Sequence, residues 1–338
     1  MSTTISPRAR IAATGSYIPD FRLTNDALSR MVETNDEWIR ERTGIAERRI
    51  NTTLSNREMA VIAAKRALDA SGLDPLDIDI VIASTVTNDN YSPALACYVQ
   101  ADIGASNAFA FDVNAGCSGF VYALDTASAF ISAARPGTKP VRHVLIVCSE
   151  NLSRITDYTD RSSCILFGDG AGAAIVSADD SHGLLSTYIR TDGTGADAIT
   201  ARALAPVIDN GDGTVSNNDA SVKAGLVMNG REVYRFAVKA VPEAVEGALA
   251  AADLTAADLK YLVMHQANAR IIASAVERLG IDPEKAPMNM ERYGNTSSAS
   301  VPILLDELNR AGKLSRGDKL AIAGFGSGLT YGVAIIEW

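Results

Sequence analysis

The chain has 338 residues, of which 47% are hydrophobic and 21% are charged, a composition that supplies a large core and excludes an intrinsically disordered chain. Because this length exceeds the roughly 250 to 300 residues that one core usually serves, we expect two halves packed together. With 31 Lys and Arg against 40 Asp and Glu, the formal net charge is −9, which argues against nucleic acid and anionic membranes as partners.

The cysteines and histidines do not show the spacing of a zinc site, so we expect free thiols and no metal. They are Cys97, Cys117, Cys148, Cys164, His143, His182 and His265. Free thiols are typical of a reducing compartment. The first residues lack an apolar signal segment, and no apolar run approaches the roughly 20 residues that cross a bilayer. We therefore expect a cytoplasmic protein without a membrane segment.

An internal repeat relates the two parts of the chain. The segment ALDASGLDPLDIDIVIAS, residues 67–84, aligns without gaps with ALAAADLTAADLKYLVMH, residues 248–265, at an offset of 248 − 67 = 181. Each copy has the pattern of a helix end, a short polar turn and an apolar run of strand length. The same offset pairs Asn114 with Asn295. The repeat therefore predicts a duplicated α/β fold.

Further strands are predicted at residues 142–149, 172–177 and 319–324, where short apolar runs are bounded by Gly, Asp or Ser. These runs alternate with helical segments such as residues 120–131. The alternation predicts largely parallel sheets between layers of helices.

The repeat also suggests where the chain divides. We place the first half at residues 1–180 and the second half at residues 181–338. Residues 192–221, which include DNGDGTVSNND, lack periodicity, and we expect them to form a surface excursion between the halves.

Cys117 is the candidate nucleophile. It lies between Gly116 and Gly119, directly before the predicted helix at residues 120–131, so a bulky electrophile can reach it. A helix N-terminus stabilises a thiolate, and we expect the pKa of Cys117 to fall below its usual value of about 8.5. For the other three cysteines we expect small buried hydrophobic residues.

His265 and Asn295 are the candidate partners of Cys117. His265 follows the apolar run of residues 261–264, at the strand edge where open α/β sheets bind their ligands. Alone, such a histidine would more often be structural, and an isolated Asn in a turn would by default cap a helix. Because Asn295 is the repeat equivalent of Asn114, we expect the repeat to bring a thiol, an imidazole and a carboxamide together.

Five segments of the chain resemble a known family. They are WIRERTGI from Trp38, AGCSGF from Ala115, FGDGAGA from Phe167, HQAN from His265 and GNTSSASVP from Gly294. In order and spacing they resemble β-ketoacyl-acyl-carrier-protein synthase III, a family of condensing enzymes, nearly end to end. The resemblance implies the thiolase-like, duplicated αβαβα layered fold with two pseudo-symmetric halves.

The resemblance also implies a two-stage acyltransferase mechanism that initiates fatty acid biosynthesis. Cys117 would take an acyl group from acyl-CoA and pass it to the carbanion that forms when malonyl-acyl-carrier protein (malonyl-ACP) loses CO2, giving a 3-oxoacyl-ACP. His265 and Asn295 would donate hydrogen bonds to the malonyl thioester carbonyl. Backbone N–H groups near Cys117 and Ser327 would form the oxyanion hole, and Phe325 would separate the thiol from the decarboxylating pair. No metal or redox cofactor would be required.

Substrate-binding residues follow from the same resemblance. Trp38 and Arg161 would sandwich the adenine of CoA, Arg42 would lie near its phosphates and Asn268 would contact the pantetheine arm. A cationic patch would receive the acidic carrier protein. Its members would be Arg231, Arg235, Lys239 and Arg270.

The sequence departs from the family pattern at three positions. Ser327 stands where many members have glycine, and Leu329 replaces a phenylalanine, so the floor of the site is expected to differ. Ser92 precedes Pro93 where members that take acetyl groups often have a bulky aromatic residue. We expect a roomier primer pocket that accepts longer or branched acyl chains.

Two other interpretations stay open from the sequence. One is a related acyltransferase or starter-unit condensing enzyme of polyketide or secondary metabolism, which hands the acyl group to another acceptor. The other is a non-catalytic binding module that retains the fold, although no catalytic residue is missing. The family covers the apolar edges of its halves by dimerisation, so we also expect a homodimer.

Overall fold

A computed structural model describes residues 7–133, 137–202, 208–209, 215–216 and 225–338. The strands are β1 (Arg8–Tyr17), β2 (Phe21–Thr24), β3 (Glu47–Ile50), β4 (Ile80–Ser84), β5 (Phe109–Val113), β6 (His143–Asn151), β7 (Asp169–Asp179), β8 (Gly183–Thr191), β9 (Ile199–Arg202), β10 (Ile208–Asp209), β11 (Val215–Ser216), β12 (Gly225–Met228), β13 (Tyr261–Met264), β14 (Lys319–Gly326) and β15 (Thr330–Glu337). Within these residues no helix is both long and apolar enough to cross a bilayer.

The α-helices connect the strands and cover both sheets. They are α1 (Asn25–Leu28), α2 (Asp36–Thr43), α3 (Asn56–Ser71), α4 (Leu95–Ile103), α5 (Gly119–Ser132), α6 (Arg161–Cys164), α7 (Gly230–Ala251), α8 (Ala269–Leu279), α9 (Met290–Tyr293) and α10 (Ser300–Arg310). The chain passes from the first sheet to the second between Asp179 and Gly183, because β7 and β8 belong to different sheets.

Two main sheets share one topology. The first has the strand order β1-β7-β6-β4-β5, and the second has the order β13-β14-β15-β8. Read in the same direction, β8, β15, β14 and β13 correspond to β1, β7, β6 and β4, and the parallel and antiparallel pairings agree. The duplication that the repeat predicts is therefore present in the sheets.

The expectation of largely parallel sheets is wrong, because both sheets are mixed. In the first sheet β4 pairs in parallel with β5 and β6, whereas β7 pairs antiparallel with β6 and β1. In the second sheet β15 is antiparallel to both of its neighbours. A three-residue turn, Ser327–Leu329, joins β14 to β15, and a connection that short permits only an antiparallel pair.

The helices form three layers around the sheets. α5 and α10 lie between the two sheets, and their apolar side chains share one buried cluster with both sheets. α3 and α4 cover the outer face of the first sheet, and α7 and α8 cover the outer face of the second. The order of layers is α, β, α, β, α, so α5 and α10 both begin in the interface between the halves.

The offset of 181 holds at the start of both central helices. A 3₁₀ turn at Gly116–Ser118 precedes α5, and a 3₁₀ turn at Ser297–Ala299 precedes α10. β4 begins at Ile80 and β13 begins at its repeat equivalent, Tyr261. The alignment of the two copies therefore correctly pairs the elements that meet at the interface between the halves.

Gly15 lets the first strand lie directly on helix α3. A Cβ atom at residue 15 would lie 2.4 Å from the backbone nitrogen of Ala67 and 2.5 Å from the backbone oxygen of Ala63. Neither backbone atom can move without shifting the helix. Close packing of strand and helix at this point therefore requires glycine.

We predict that Gly15→Ala lowers the free energy of unfolding by about 3 kcal/mol, because the added methyl group overpacks two backbone atoms. Gly193→Ala is the matched control, since a Cβ atom there meets no atom within 4 Å, and its effect should stay within about 0.5 kcal/mol. Equilibrium unfolding in urea measures both. Equal stability of the two variants would contradict the packing argument.

Candidate active site

Cys117 lies in the 3₁₀ turn before α5, where two glycines let a loop of the second half approach it. Gly116 has φ +52°, and a Cβ atom there would lie 2.3 Å from Ser327 Oγ. A Cβ atom at Gly326 would lie 3.0 Å from Cys117 Sγ. The turn Ser327–Leu329 therefore packs directly against the thiol, as close backbone approach at glycine allows.

The pKa of Cys117 is raised to about 12, chiefly by burial. A hydrogen bond with Ser297 lowers it, and the nearby carboxyl of Glu150 raises it further. The expectation of a depressed pKa is therefore wrong, because desolvation of the thiolate outweighs the hydrogen bonds that would lower it. The thiol is protonated at neutral pH.

His265 follows β13 and is 1% exposed. Its Nδ1 lies 2.7 Å from Ser300 Oγ, and its ring meets the ring of Phe325 edge to face at a centroid distance of 5.2 Å. Burial lowers the pKa of His265 to about 3. The imidazole is therefore neutral and carries a single ring proton.

Asn295 is held by backbone pairing across the two halves. Its N–H donates to Leu166 O at 2.8 Å, and its carbonyl accepts from Gly168 N at 3.0 Å. Its side-chain Oδ1 accepts a hydrogen bond from Ser297 N at 2.8 Å. Because Oδ1 already accepts this hydrogen bond, the Nδ2 group is the part of the carboxamide that can donate a hydrogen bond to a ligand.

Cys117, His265, Asn295 and Phe325 line one cavity of about 520 Å³. The structure therefore brings together the thiol, imidazole and carboxamide that the sequence predicts. The rest of the wall is largely apolar. It includes Val86, Leu152, Phe167, Ile199, Ala201, Leu226 and Met228.

Sequence reasoning missed this apolar wall. Ile199 and Ala201 belong to the segment expected to be a surface excursion, yet β9 pairs with β12 and both residues line the cavity. Residues 203–207, 210–214 and 217–221 of that segment lie outside the described residues. The apolar residues of β12, such as Leu226 and Met228, were the available signal.

Trp38 lies at the mouth of the cavity with two arginines over its ring. The Arg161 guanidinium is 4.9 Å from the ring centroid, and that of Arg42 is 5.7 Å away. Asn268 caps α8 and donates to Arg42 O at 3.0 Å. Trp38, Arg42 and Asn268 line the cavity, so the predicted CoA-binding residues surround one opening.

The predicted cationic patch lies on α7 and α8, two helices that also contribute Gly230, Tyr234 and Ile271 to the cavity wall. Arg231, Arg235 and Lys239 are exposed and four residues apart on α7, which places them on one helix face. Arg270 is exposed in the first turn of α8, which contacts α7.

The three positions that depart from the family pattern lie in different surroundings. Ser327 lines the cavity. Leu329 does not line it but is 3% exposed and packs against Gly195. Ser92 is exposed and is not among the cavity-lining residues of this chain. Its role in the acyl pocket stays a prediction.

Two of the expectations for the remaining cysteines are correct. Cys148 and Cys164 are buried, whereas Cys97 is exposed on α4. The expectation for Cys97 is wrong because α4 turns this side chain away from the first sheet. No group of three or more His, Cys, Asp or Glu side chains within the described ranges is arranged to hold a metal ion.

The chain matches two family models and many known proteins. Residues 111–193 match the model for 3-oxoacyl-[acyl-carrier-protein] synthase III, and residues 249–338 match the model for the C terminal of that enzyme. A β-ketoacyl-[acyl-carrier-protein] synthase III of Clostridium beijerinckii is 43% identical over 97% of this chain and 99% of the relative.

Solved structures of the same fold cover almost the whole chain. The 3-oxoacyl-[acyl-carrier-protein] synthase III of Aquifex aeolicus is 38% identical with a TM-score of 0.88, covering 98% of this chain and 100% of that one. The priming β-ketosynthase of the R1128 polyketide biosynthetic pathway is 37% identical with a TM-score of 0.88, covering 100% and 98%. The chain belongs to the β-ketoacyl-[acyl-carrier-protein] synthase III family and is an acyltransferase with the thiolase fold.

Proposed function

We propose that this enzyme starts fatty acid biosynthesis by transferring an acyl group from acyl-CoA to Cys117 and then joining it to malonyl-ACP. The observation that carries the proposal is the meeting of Cys117, His265 and Asn295 in one cavity that opens beside Trp38. A thiol suits thioester exchange, and two neutral side chains with N–H donors suit an enolate.

The first step is an exchange of thioesters at Cys117. The sulfur attacks the thioester carbon of acyl-CoA, the bond from that carbon to the CoA sulfur breaks, and the thiol proton ends on CoA. Backbone N–H groups of Cys117 and Ser327 hold the negative oxygen of the intermediate, because the turn at Ser327 packs against the nucleophile. Since the thiol is protonated at neutral pH, its proton is lost only as acyl-CoA reacts.

The second step is a decarboxylative condensation. Malonyl-ACP loses CO2, and the electron pair of the broken bond forms an enolate whose oxygen accepts hydrogen bonds from His265 and Asn295. The enolate carbon attacks the acyl thioester, and the thiolate of Cys117 leaves and takes a proton from solvent. The product is 3-oxoacyl-ACP. The chemistry uses only thioesters and a thiol, so the proposed reaction needs no metal or redox cofactor.

Both substrates are proposed to enter by the same opening. The ring of Trp38 and the guanidinium of Arg161 face each other at 4.9 Å, and this pair would open to take the CoA adenine between them. Arg42 would meet the CoA phosphates, and Asn268 the pantetheine arm. The acidic carrier protein would dock on Arg231, Arg235, Lys239 and Arg270, which concentrate positive charge on a chain of net charge −9.

The relatives support fatty acid biosynthesis over secondary metabolism. Curated relatives at 39% to 43% identity carry the name β-ketoacyl-[acyl-carrier-protein] synthase III, while the priming β-ketosynthase of a polyketide pathway, at 37% identity among the solved structures, represents the alternative. The two functions differ in the acceptor, so products formed with malonyl-ACP and with small alcohols or amines distinguish them.

All four cysteines are free, which supports the proposed cytoplasmic location.

We predict that Cys117→Ala abolishes acylation by acyl-CoA, because no other thiol lies in the cavity. Cys97→Ala is the matched control: Cys97 is exposed, and its removal should leave the acyl adduct intact. Intact-protein mass spectrometry after incubation with acyl-CoAs measures the adduct. Acylation of the Cys117→Ala variant would show that another residue is the nucleophile.

The same panel of acyl-CoAs tests which acyl groups the enzyme accepts on Cys117. The cavity wall is largely apolar, so we propose that longer or branched acyl groups are accepted. Ser92 does not line the cavity of this chain, and its part in the acyl pocket stays a prediction. We expect adducts from branched and medium-length acyl-CoAs at rates comparable to acetyl-CoA. A profile that peaks sharply at acetyl-CoA would refute this proposal.

We predict that Asn295→Asp slows condensation by a factor of about 10² to 10³, because a carboxylate oxygen replaces the N–H donor that faces the enolate. Acylation of Cys117 should change by less than about threefold, since Asn295 acts in the second step. Asn107→Asp makes the same substitution at an exposed position and serves as control. Single-turnover rates of both steps measure the effect, and equal losses in both steps would contradict the assignment.

We also propose a homodimer. Phe109 on the edge strand β5 and Tyr91 near Ser92 are 48% and 73% exposed, and unpaired edge strands with apolar side chains are usually covered. The predicted mass in light scattering is twice 35.6 kDa. A mass equal to that of one chain would disprove the dimer.

A further inference from the structure

Strand β3 carries an arginine that the core encloses completely. Arg48 is 0% exposed, and burial lowers its pKa to about 10, so the guanidinium is charged at neutral pH. Its hydrogen-bond partners in the described part of the chain are neutral oxygens, and its Nε is buried without a partner. Such a charge is costly to bury, whereas apolar side chains of similar volume are not. The proposed mechanism does not use this group.

The guanidinium holds oxygens of two separate segments at once. Its Nη1 donates to Leu23 O at 3.0 Å and to Asn25 Oδ1 at 2.8 Å, and its Nη2 donates to Ile165 O at 2.6 Å. Leu23 and Asn25 lie where β2 meets α1, and Ile165 directly follows α6. Because the guanidinium is a rigid planar fork, it fixes the spacing between these two segments.

One of the two segments carries Arg161. Helix α6 has only four residues, Arg161–Cys164, and a helix of one turn is not stable by itself. Its position therefore depends on contacts at its ends. At its start Arg161 Nη1 donates to Glu33 O at 3.0 Å, and directly after its end Ile165 O accepts from Arg48.

The other segment leads to Trp38. Asn25 accepts from Arg48 through Oδ1, and its Nδ2 donates to Asp36 Oδ1 at 2.8 Å. Asp36 is the first residue of α2, and Trp38 follows two residues later in the same helix. The two residues proposed to take the CoA adenine, Trp38 and Arg161, are thus both connected to one buried guanidinium.

We propose that Arg48 is a positioning residue for acyl-CoA, which ties the start of α2 to the end of α6 so that Trp38 and Arg161 can face the adenine from both sides. This inference rests on the proposed function, since it deepens the proposed CoA site. Arg48 does not line the cavity and takes no part in the reaction. It affects the binding of the adenine end of the donor and leaves the chemistry at Cys117 unchanged.

Two acyl donors separate adenine binding from chemistry. Acyl-CoA carries the adenine, whereas the same acyl group on N-acetylcysteamine presents only the thioester end of the pantetheine arm. Arg48→Lys keeps the charge but lacks the planar fork that bridges the two segments. We expect kcat/KM for acylation by acyl-CoA to fall about tenfold through KM, and kcat/KM with the short donor to change by less than about twofold.

Arg49→Lys is the matched control. Arg49 is the next residue of β3, and its Nη1 donates to Pro19 O at 3.1 Å, a residue of neither α2 nor α6. Its kcat/KM should stay within about twofold of the wild type with both donors. Equal losses with the two donors in Arg48→Lys would show that Arg48 only supports the fold. That result, or unchanged values with both donors, would overturn the inference.

Asn25→Asp tests the same link without removing Arg48. It keeps an oxygen for the guanidinium and gives the buried charge an anionic partner, but it replaces the N–H donor that holds Asp36 by a second carboxylate, which repels the start of α2. We expect the same selective rise in KM for acyl-CoA. This variant decides the question if Arg48→Lys shows no cooperative thermal unfolding, and a folded Asn25→Asp with the KM of the wild type would overturn the inference.

The two proposals fail separately. If acyl-CoA does not acylate the wild type, the proposed function is wrong, whatever the variants do. If the wild type is acylated but the folded variants do not discriminate between the two donors, only the role of Arg48 is wrong.

Discussion

A buried carboxyl joins the two halves at the point where the reaction takes place. Glu150 is fully buried at the end of β6. Its oxygens accept hydrogen bonds from Val86 N and Thr87 Oγ1 of the first half, at 3.1 and 2.9 Å, and from Ser298 Oγ of the second half, at 2.7 Å. Thr85 Oγ1 and the side chain of Ser297 also donate to it. Within the described residues no cation pairs with Glu150, so hydrogen bonds offset its desolvation. The turn that carries Asn295 and leads into α10 is therefore fixed by a group of the opposite half.

Desolvation governs the electrostatics of the whole site. Burial raises the pKa values of Cys117 and Glu150 and lowers that of His265, so each shift favours the uncharged form. A neutral cavity suits a reaction in which negative charge develops on a carbonyl oxygen and is met by oriented N–H groups. The arginines and lysine of the proposed docking patch on α7 are exposed, so their positive charge lies away from Cys117, His265 and Asn295.

The sequence predicts the parts of the site that depend on local pattern and on the repeat. The offset of 181 places the turn at Cys117 opposite the turn that follows Asn295, and the 3₁₀ turns Gly116–Ser118 and Ser297–Ala299 keep that offset. The sequence pattern did not predict whether strands pair in parallel or antiparallel, because an apolar run has the same pattern in both. The short turn before β15 makes that pair antiparallel. The pKa of Cys117 was misjudged because a sequence shows the helix N-terminus but not the loop that buries the thiol. Ile199 was missed because the wall it forms depends on the pairing of β9 with β12.

The repeat also shows which side chains give the two similar halves different roles in the site. Cys117 and Ser298 occupy equivalent positions, as do Ser84 and His265, and Gly119 and Ser300. In the first half, a Cβ atom at Gly119 would lie 1.9 Å from Ser84 Oγ, so the two residues are in direct contact. In the second half, the same contact is the hydrogen bond between Ser300 and His265. The two copies thus differ at three equivalent positions: the first has the cysteine with a serine and a glycine, and the second has a serine with a histidine and the serine that bonds it. Different side chains at equivalent positions of two similar halves are sufficient to make an asymmetric catalyst on a pseudo-symmetric scaffold.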